Sequence, residues 1–140
     1  MDIYADAILD HYRTPRNKVT LTEPTISHTE KNVSCGDALT VELQIDGDKI
    51  LAIGWSGEGC AISQAAMSML AEELAGKTLD QLKRELAQPE VLKLLGVPIG
   101  PRRMKCAMLA AHALQNALRA TANQPPQSWV ETLGNSEKTG

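Results

Sequence analysis

Phenylalanine is missing from this chain, whose aromatics are two Trp and two Tyr among 140 residues. The core must therefore be aliphatic, built from Leu, Ile, Ala and Met. No window is apolar and long enough to span a membrane. Charge of one sign does not dominate: the net charge is −3 and no long basic run occurs, which argues against nucleic acid as a partner. A secretory leader would begin with basic residues, but MDIYADAILD carries acids, so a cytoplasmic protein is expected. Cysteines number three, an odd count without a C-x-x-C pair, which in a reducing compartment argues against a disulfide framework. The sequence shows no repeat, low-complexity tract or second domain. What remains, at 15.1 kDa with 43% hydrophobic residues, is one globular domain large enough to bury a core unaided.

Tyr4, Ile8 and Tyr12 recur at helical spacing, predicting a helix over 3–13 that Thr14-Pro15 ends. A first edge strand is expected around Ile26–Asn32. Leu39, Val41, Leu43 and Ile45 alternate with Thr40, Glu42 and Gln44, the pattern of a half-buried strand. Asp46-Gly47 is a hairpin turn signal, and 49–55 returns as the next strand. Gly57 and Gly59 break it. A helix starts at or just after Cys60, with Ile62, Ala66, Met69, Leu70 and Leu74 on one face and Gly76 as its stop. Thr78 and Gln81 form a capping box for a shorter helix reaching about Ala87. Pro89 suits the first position of a further helix that ends at Gly96. A long Ala- and Leu-rich helix is expected from about Arg102 to Ala122, closed by Asn123 and Pro125. The chain thus divides into a domain over 1–123 and a polar C-terminal tail over 124–140, with a short helix near 128–133.

Three cysteines carry the chemistry: Cys35 in SCGDA, Cys60 in GEGCAIS and Cys106 in RRMKCAM, each at a break in regular structure. Glycines crowd the first two (Gly36, then Gly57 and Gly59), so the backbone can turn tightly and leave the sulfurs accessible. Asp37 adds a carboxylate two residues after Cys35. Three thiolates and a carboxylate are a four-ligand set suited to zinc or to an iron–sulfur cluster. Cys60 stands at a helix N-terminus, and Cys106 in the first turn or so of another, beside Arg102, Arg103 and Lys105. Unpaired N–H groups and positive charge favour a thiolate at both. These residues are far apart in the chain, so the fold must assemble the site.

Other readings stand beside this one. Free cysteines are often small buried hydrophobes. A nucleophilic cysteine enzyme would need a histidine base, and His11, His28 and His112 are placed by no motif. His112 lies about 120° from Cys106 around the helix, on a face with Met108 and Gln115, as a surface or partly buried structural residue would. The basic run is either solvated surface or a guide for an acidic partner. A structural zinc module that only binds proteins is a further alternative.

Several segments resemble the U-type iron–sulfur cluster assembly family (IscU, SufU and the N-terminal domain of NifU), over nearly the whole chain to about residue 120. ILDHYRTPRN is similar to the family's opening helix and its exit, and SCGDALTVEL to its first cysteine motif. GEGCAISQAAMSML is similar to the second motif and PRRMKCAMLAAHAL to the third. The resemblance implies an α+β fold: a small three-stranded antiparallel sheet packed against about five helices, with the site at one end. It also implies that Cys35, Asp37, Cys60 and Cys106 ligate the metal or cluster, with Arg103 and Lys105 in support. Lys105 stands where IscU proteins usually have a histidine, and P-x-R-x-K-C is similar to SufU. The insertion that SufU carries between the second and third cysteines is short here, as in IscU. The Leu-Pro-Pro-Val-Lys run with which IscU docks its Hsp70 chaperone is replaced by VPIGPRRMK, and Val33 replaces a proline common before the first motif.

Two activities follow from the resemblance. A scaffold would accept sulfur from a cysteine desulfurase on Cys35 or Cys106, assemble a transient 2Fe–2S cluster and pass it to apo-proteins or carriers. A zinc-dependent sulfurtransferase of the SUF system would hold zinc on the same residues and relay persulfide sulfur. The first makes the chain a scaffold rather than a true enzyme. In either case the resemblance implies a monomer or weak homo-oligomer.

Overall fold

The computed structural model describes residues 3–32 and 36–133, with side chains from residue 6 onward. Three strands form one antiparallel sheet in the order β1 (Ile26–Asn32), β2 (Asp37–Asp46), β3 (Lys49–Glu58). In β2, Leu39, Val41 and Leu43 are fully buried while Thr40 and Glu42 are only partly so, the outcome that period-two alternation dictates for a one-sided sheet. The β2–β3 hairpin turns at Gly47, whose φ of +63° suits a residue without a Cβ. β3 is one of the two edge strands, and the segment after α1 (Ile3–Arg13) covers part of its edge: the Trp55 backbone N–H donates to Asn17 O at 3.2 Å and its indole N–H to Arg16 O at 2.8 Å. Gly54 permits that crossing, since a Cβ there would stand 2.5 Å from Val19 O. An open edge with unpaired N–H groups is thereby shortened.

The helical layer is led by α2 (Ala61–Leu74) and α5 (Met104–Thr121). α2 buries every residue from Ser63 to Ala71, as a helix apolar nearly all round must. It lies between α1 and α5 and touches β3, while α5 lies against β1 and β2. With no Phe available, the interior is filled by Leu, Ile, Met and a single Trp55. The alanines Ala65, Ala66, Ala107, Ala110 and Ala111 are also buried. Each fully buried Leu such as Leu39, Leu70 or Leu114 stabilises the fold by roughly 2 kcal/mol. α3 (Leu79–Glu85) starts on the reciprocal Thr78–Gln81 capping box, and α4 (Gln88–Leu95) ends at Gly96 with φ +74°.

Several boundaries move by a residue or two. Pro89 is the second residue of α4, because Ala87 takes the cap position. Pro101 to Arg103 form a 3-10 turn, so α5 begins at Met104 rather than Arg102. The described residues hold six α-helices, five in the domain and the four-residue α6 (Trp129–Thr132), which forms on a Ser128–Glu131 capping box where a short helix near 128–133 was expected. That segment docks on α5: the Gln127 N–H donates to Asn116 Oδ1 at 2.6 Å, and Thr132 is buried. No helix among the described residues is long and apolar enough to cross a membrane.

Candidate metal centre

Asp37 opens β2 and is only 2% exposed. It follows Gly36, whose φ of +77° lets its N–H donate to Asn32 O at 2.9 Å. Cys60 is the N-cap residue of α2, with extended backbone and no cap from its own side chain. Asp37 supplies what Cys60 lacks: its Oδ1 accepts the Cys60 N–H at 3.1 Å, and its Oδ2 lies 3.6 Å from Cys60 Sγ. A carboxylate at a helix N-terminus is stabilised there by the end dipole. Ser63, one turn on, donates to Cys60 O at 3.1 Å and has its Oγ 3.8 Å from the sulfur.

The two glycines before Cys60 make this approach possible. A Cβ on Gly59 would stand 2.5 Å from Asp37 Oδ1 and 2.8 Å from Ser63 Oγ, and its φ of +155° disfavours any other residue. A Cβ on Gly57 would collide with Ala38 O. Cys106 arrives from the first turn of α5, 7% exposed. Asp37, Cys60 and Cys106 each offer a ligand atom, and these atoms all lie within 4.8 Å of one another. Neither cysteine is in a disulfide. Cys35, the remaining expected ligand, and Val33 lie outside the described residues.

The donor set fits zinc or iron. Ligand atoms about 2.0–2.3 Å from a tetrahedral zinc sit roughly 3.3–3.8 Å apart, and the Asp37–Cys60 pair already does. Beside Cys106 opens a cleft of about 320 Å³ lined by Asn32, Pro101, Arg102, Met104, Lys105 and Leu133. Arg102 and Arg103 are exposed and Lys105 half-buried, so the rim is cationic. Asn32, Ser63 and Leu133 escaped sequence reading. Only Ser63, at i+3 from Cys60 on a helix, carried a signal that could have found it.

No histidine among the described residues joins the group, so Cys60 and Cys106 have no imidazole base. His11 Nδ1 is hydrogen-bonded to Ser68 Oγ at 2.8 Å, and burial with Arg16 nearby pushes its pKa below 6.5. His112 is more buried than its helical position suggested, at 3% exposed. It is hydrogen-bonded to Thr132 Oγ1, stacks on the Trp129 ring and lies 3.7 Å from Glu30 Oε1. Glu30 also meets His28 at 2.8 Å and accepts from Asn116 Nδ2 at 2.8 Å. Burial pushes the His112 pKa down, against the pull of Glu30 and with some help from the charges of His28 and Lys105.

Comparison with known proteins follows the same lines. A family model described as NifU-like N terminal domain matches residues 3–126. The chain is 30% identical to the zinc-dependent sulfurtransferase SufU of Bacillus subtilis, covering 83% of this chain and 89% of that protein. It is also 30% identical to the iron–sulfur cluster assembly scaffold protein IscU of Streptococcus pyogenes, covering 86% of each. The crystal structure of FiSufU from Fervidobacterium islandicum AW-1 superposes with a TM-score of 0.72 at 30% identity, covering 83% of this chain and 96% of that one.

Proposed function

This chain belongs to the NifU-like N-terminal domain family, and we propose that it is an iron–sulfur cluster assembly protein. It takes sulfur from a cysteine desulfurase and builds a transient 2Fe–2S cluster on Cys35, Asp37, Cys60 and Cys106 for delivery to apo-proteins. The observation that carries this reading is the convergence of Asp37, Cys60 and Cys106, from β2, the cap of α2 and the first turn of α5, within 4.8 Å. A carboxylate oxygen holds iron less firmly than a thiolate, which suits a cargo meant to leave. In this reading the domain over 1–123 carries the ligands, the setting is cytoplasmic, and the tail over 124–140 follows that domain.

Sulfur arrives by exchange at Cys35 or Cys106. The acceptor thiolate attacks the outer sulfur of the donor's persulfide; a new S–S bond forms, the donor's S–S bond breaks, and the donor cysteine leaves as a thiolate. The transfer is redox-neutral, and incorporation of that sulfur as cluster sulfide then takes two electrons per sulfur from an external reductant. The cleft at Cys106 gives such a donor a route, and the cationic rim from Arg102 and Lys105 suits an acidic partner surface.

A second reading is favoured by Lys105 and by the SufU relative: a zinc-dependent sulfurtransferase that relays the same sulfur without holding a cluster. Zinc, when bound, keeps the thiolates deprotonated and shields them from oxidation. Anaerobic reconstitution with iron, cysteine and a cysteine desulfurase separates the two. A chromophore that moves to an apo-ferredoxin establishes the scaffold. Zinc-loaded protein that accelerates the desulfurase, with no transferable chromophore, establishes the sulfurtransferase.

A further inference from the structure

The tail does more than close the chain. Its helix α6 is anchored on α5 by a set of polar contacts, beside the packing of Trp129 and Leu133 on the core. Gln127 N–H donates to Asn116 Oδ1, Gln127 Nε2 to Thr132 Oγ1 at 2.9 Å, and Thr132 Oγ1 is bonded to His112. Asn116 and His112 are in turn held by Glu30 of β1. The Trp129 ring is therefore fixed, stacked on His112 with centroids 4.0 Å apart and planes 19° from parallel. Lys105 lies seven residues before His112 and so on the same helical face. Its ammonium stands 5.6 Å from the centroid of that same ring. Lys105 also lines the cleft of Cys106, together with Leu133, which follows α6.

We propose that Trp129 is a positioning residue for Lys105: its ring holds the ammonium in the wall of the Cys106 cleft, so that the C-terminal segment sets the charge an anionic sulfur donor meets there. A lysine has a flexible four-carbon stem, and its ammonium is well hydrated when free. An aromatic face biases it toward one place by roughly two- to thirtyfold. The donor chemistry is that of an ionised persulfide, so the functional consequence rests on the function proposed above, whereas the positioning does not. His28, Glu30 and the indole then form one support that reaches the third cysteine through a single lysine.

The test compares alkylation of Cys106 by iodoacetate, an anion, and by iodoacetamide, which is neutral, at one pH in the full chain. Peptide mass spectrometry assigns the modified cysteine. The ratio of the two rates reads the charge near the sulfur, because the thiolate fraction cancels. Lys105→Gln should lower the ratio several-fold. Trp129→Leu should lower it to nearly the same value, Trp129→Phe should recover at least half of the difference, and Trp129→Leu should add nothing in the Lys105→Gln background. The proposal is overturned if Trp129→Leu keeps the wild-type ratio, if Phe recovers no more than Leu, or if the two effects add. Should Trp129→Leu not fold, the Phe variant decides through an independent signal. With lysines carbon-13 dimethylated, the Lys105 methyls must be ring-shifted in the wild type and in Trp129→Phe; unshifted methyls sink the idea. Failure of the functional reading looks different: a desulfurase would load no sulfur on the wild-type chain while the alkylation ratios kept their pattern.

Discussion

Replacing Gly59 by alanine tests the assembly of the site more directly than removing a ligand does. The new Cβ would stand 2.5 Å from Asp37 Oδ1, 2.6 Å from its Cγ and 2.8 Å from Ser63 Oγ, and the backbone there has φ +155°. Strain of that kind costs about 1–3 kcal/mol. Relief requires the carboxylate to move, which breaks the 3.1 Å bond from the Cys60 N–H; a bond to a charged group contributes about 1.5–3 kcal/mol. The two terms overlap, since either the backbone or the carboxylate yields, so a loss of about 2–4 kcal/mol is expected in urea unfolding of the metal-free chain. Zinc affinity, measured by competition with a chromophoric chelator, should fall at least about tenfold, as when the support of a metal ligand is removed. Gly36→Ala is the control. A Cβ there meets nothing within 4 Å, so only its φ of +77° resists, at about 1–2 kcal/mol. The reasoning fails if Gly59→Ala binds zinc within twofold of the wild type, or if Gly36→Ala loses as much.

Three further outcomes are expected. Asp37→Ala removes both the cap on Cys60 and a ligand oxygen, so the metal-free chain should lose about 1–3 kcal/mol and the metal content of purified protein should drop; a variant unchanged in stability, metal content and sulfur transfer shows that Asp37 is not a ligand. His112 and His11 both have pKa values held below 6.5 by burial, so the unfolded chain binds more protons as the medium acidifies. Stability should be full above about pH 6.5 and decline below it toward the folded values, with Glu30, His28 and Lys105 facing His112; His112→Gln should flatten part of that slope in urea midpoints taken from about pH 7.5 to 5.5, and a midpoint that rises on acidification refutes the assignment. Thr78→Ala breaks the reciprocal cap of α3 and should cost about 1 kcal/mol in the same assay, without altering zinc affinity.

Features set by neighbouring residues were legible in the chain. Alternation over Leu39 to Ile45 gave β2 because side chains of a strand point to opposite faces whatever lies beyond. Thr78 with Gln81 gave the start of α3, since a cap is made within four residues. Cys60 at the head of α2 follows from the glycines before it and the apolar face after it. The start of α5 was misplaced because Pro101 to Arg103 satisfy a helical pattern in a tighter 3-10 turn.

By itself, then, the sequence determined the elements, the hairpin, the aliphatic character of the interior and the residue types offered to a metal. All of these are local or compositional, and local dihedral preferences suffice for them. The tertiary structure alone decided that Asp37 caps the helix carrying Cys60, that Gly59 has no room for a Cβ, and that Cys106 arrives beside both. It alone buried His112, stacked it on Trp129 and set it beside Glu30. Those facts depend on how the sheet, α2 and α5 pack, which is settled by side chains distant in the chain, and no spacing along it encodes the distance across.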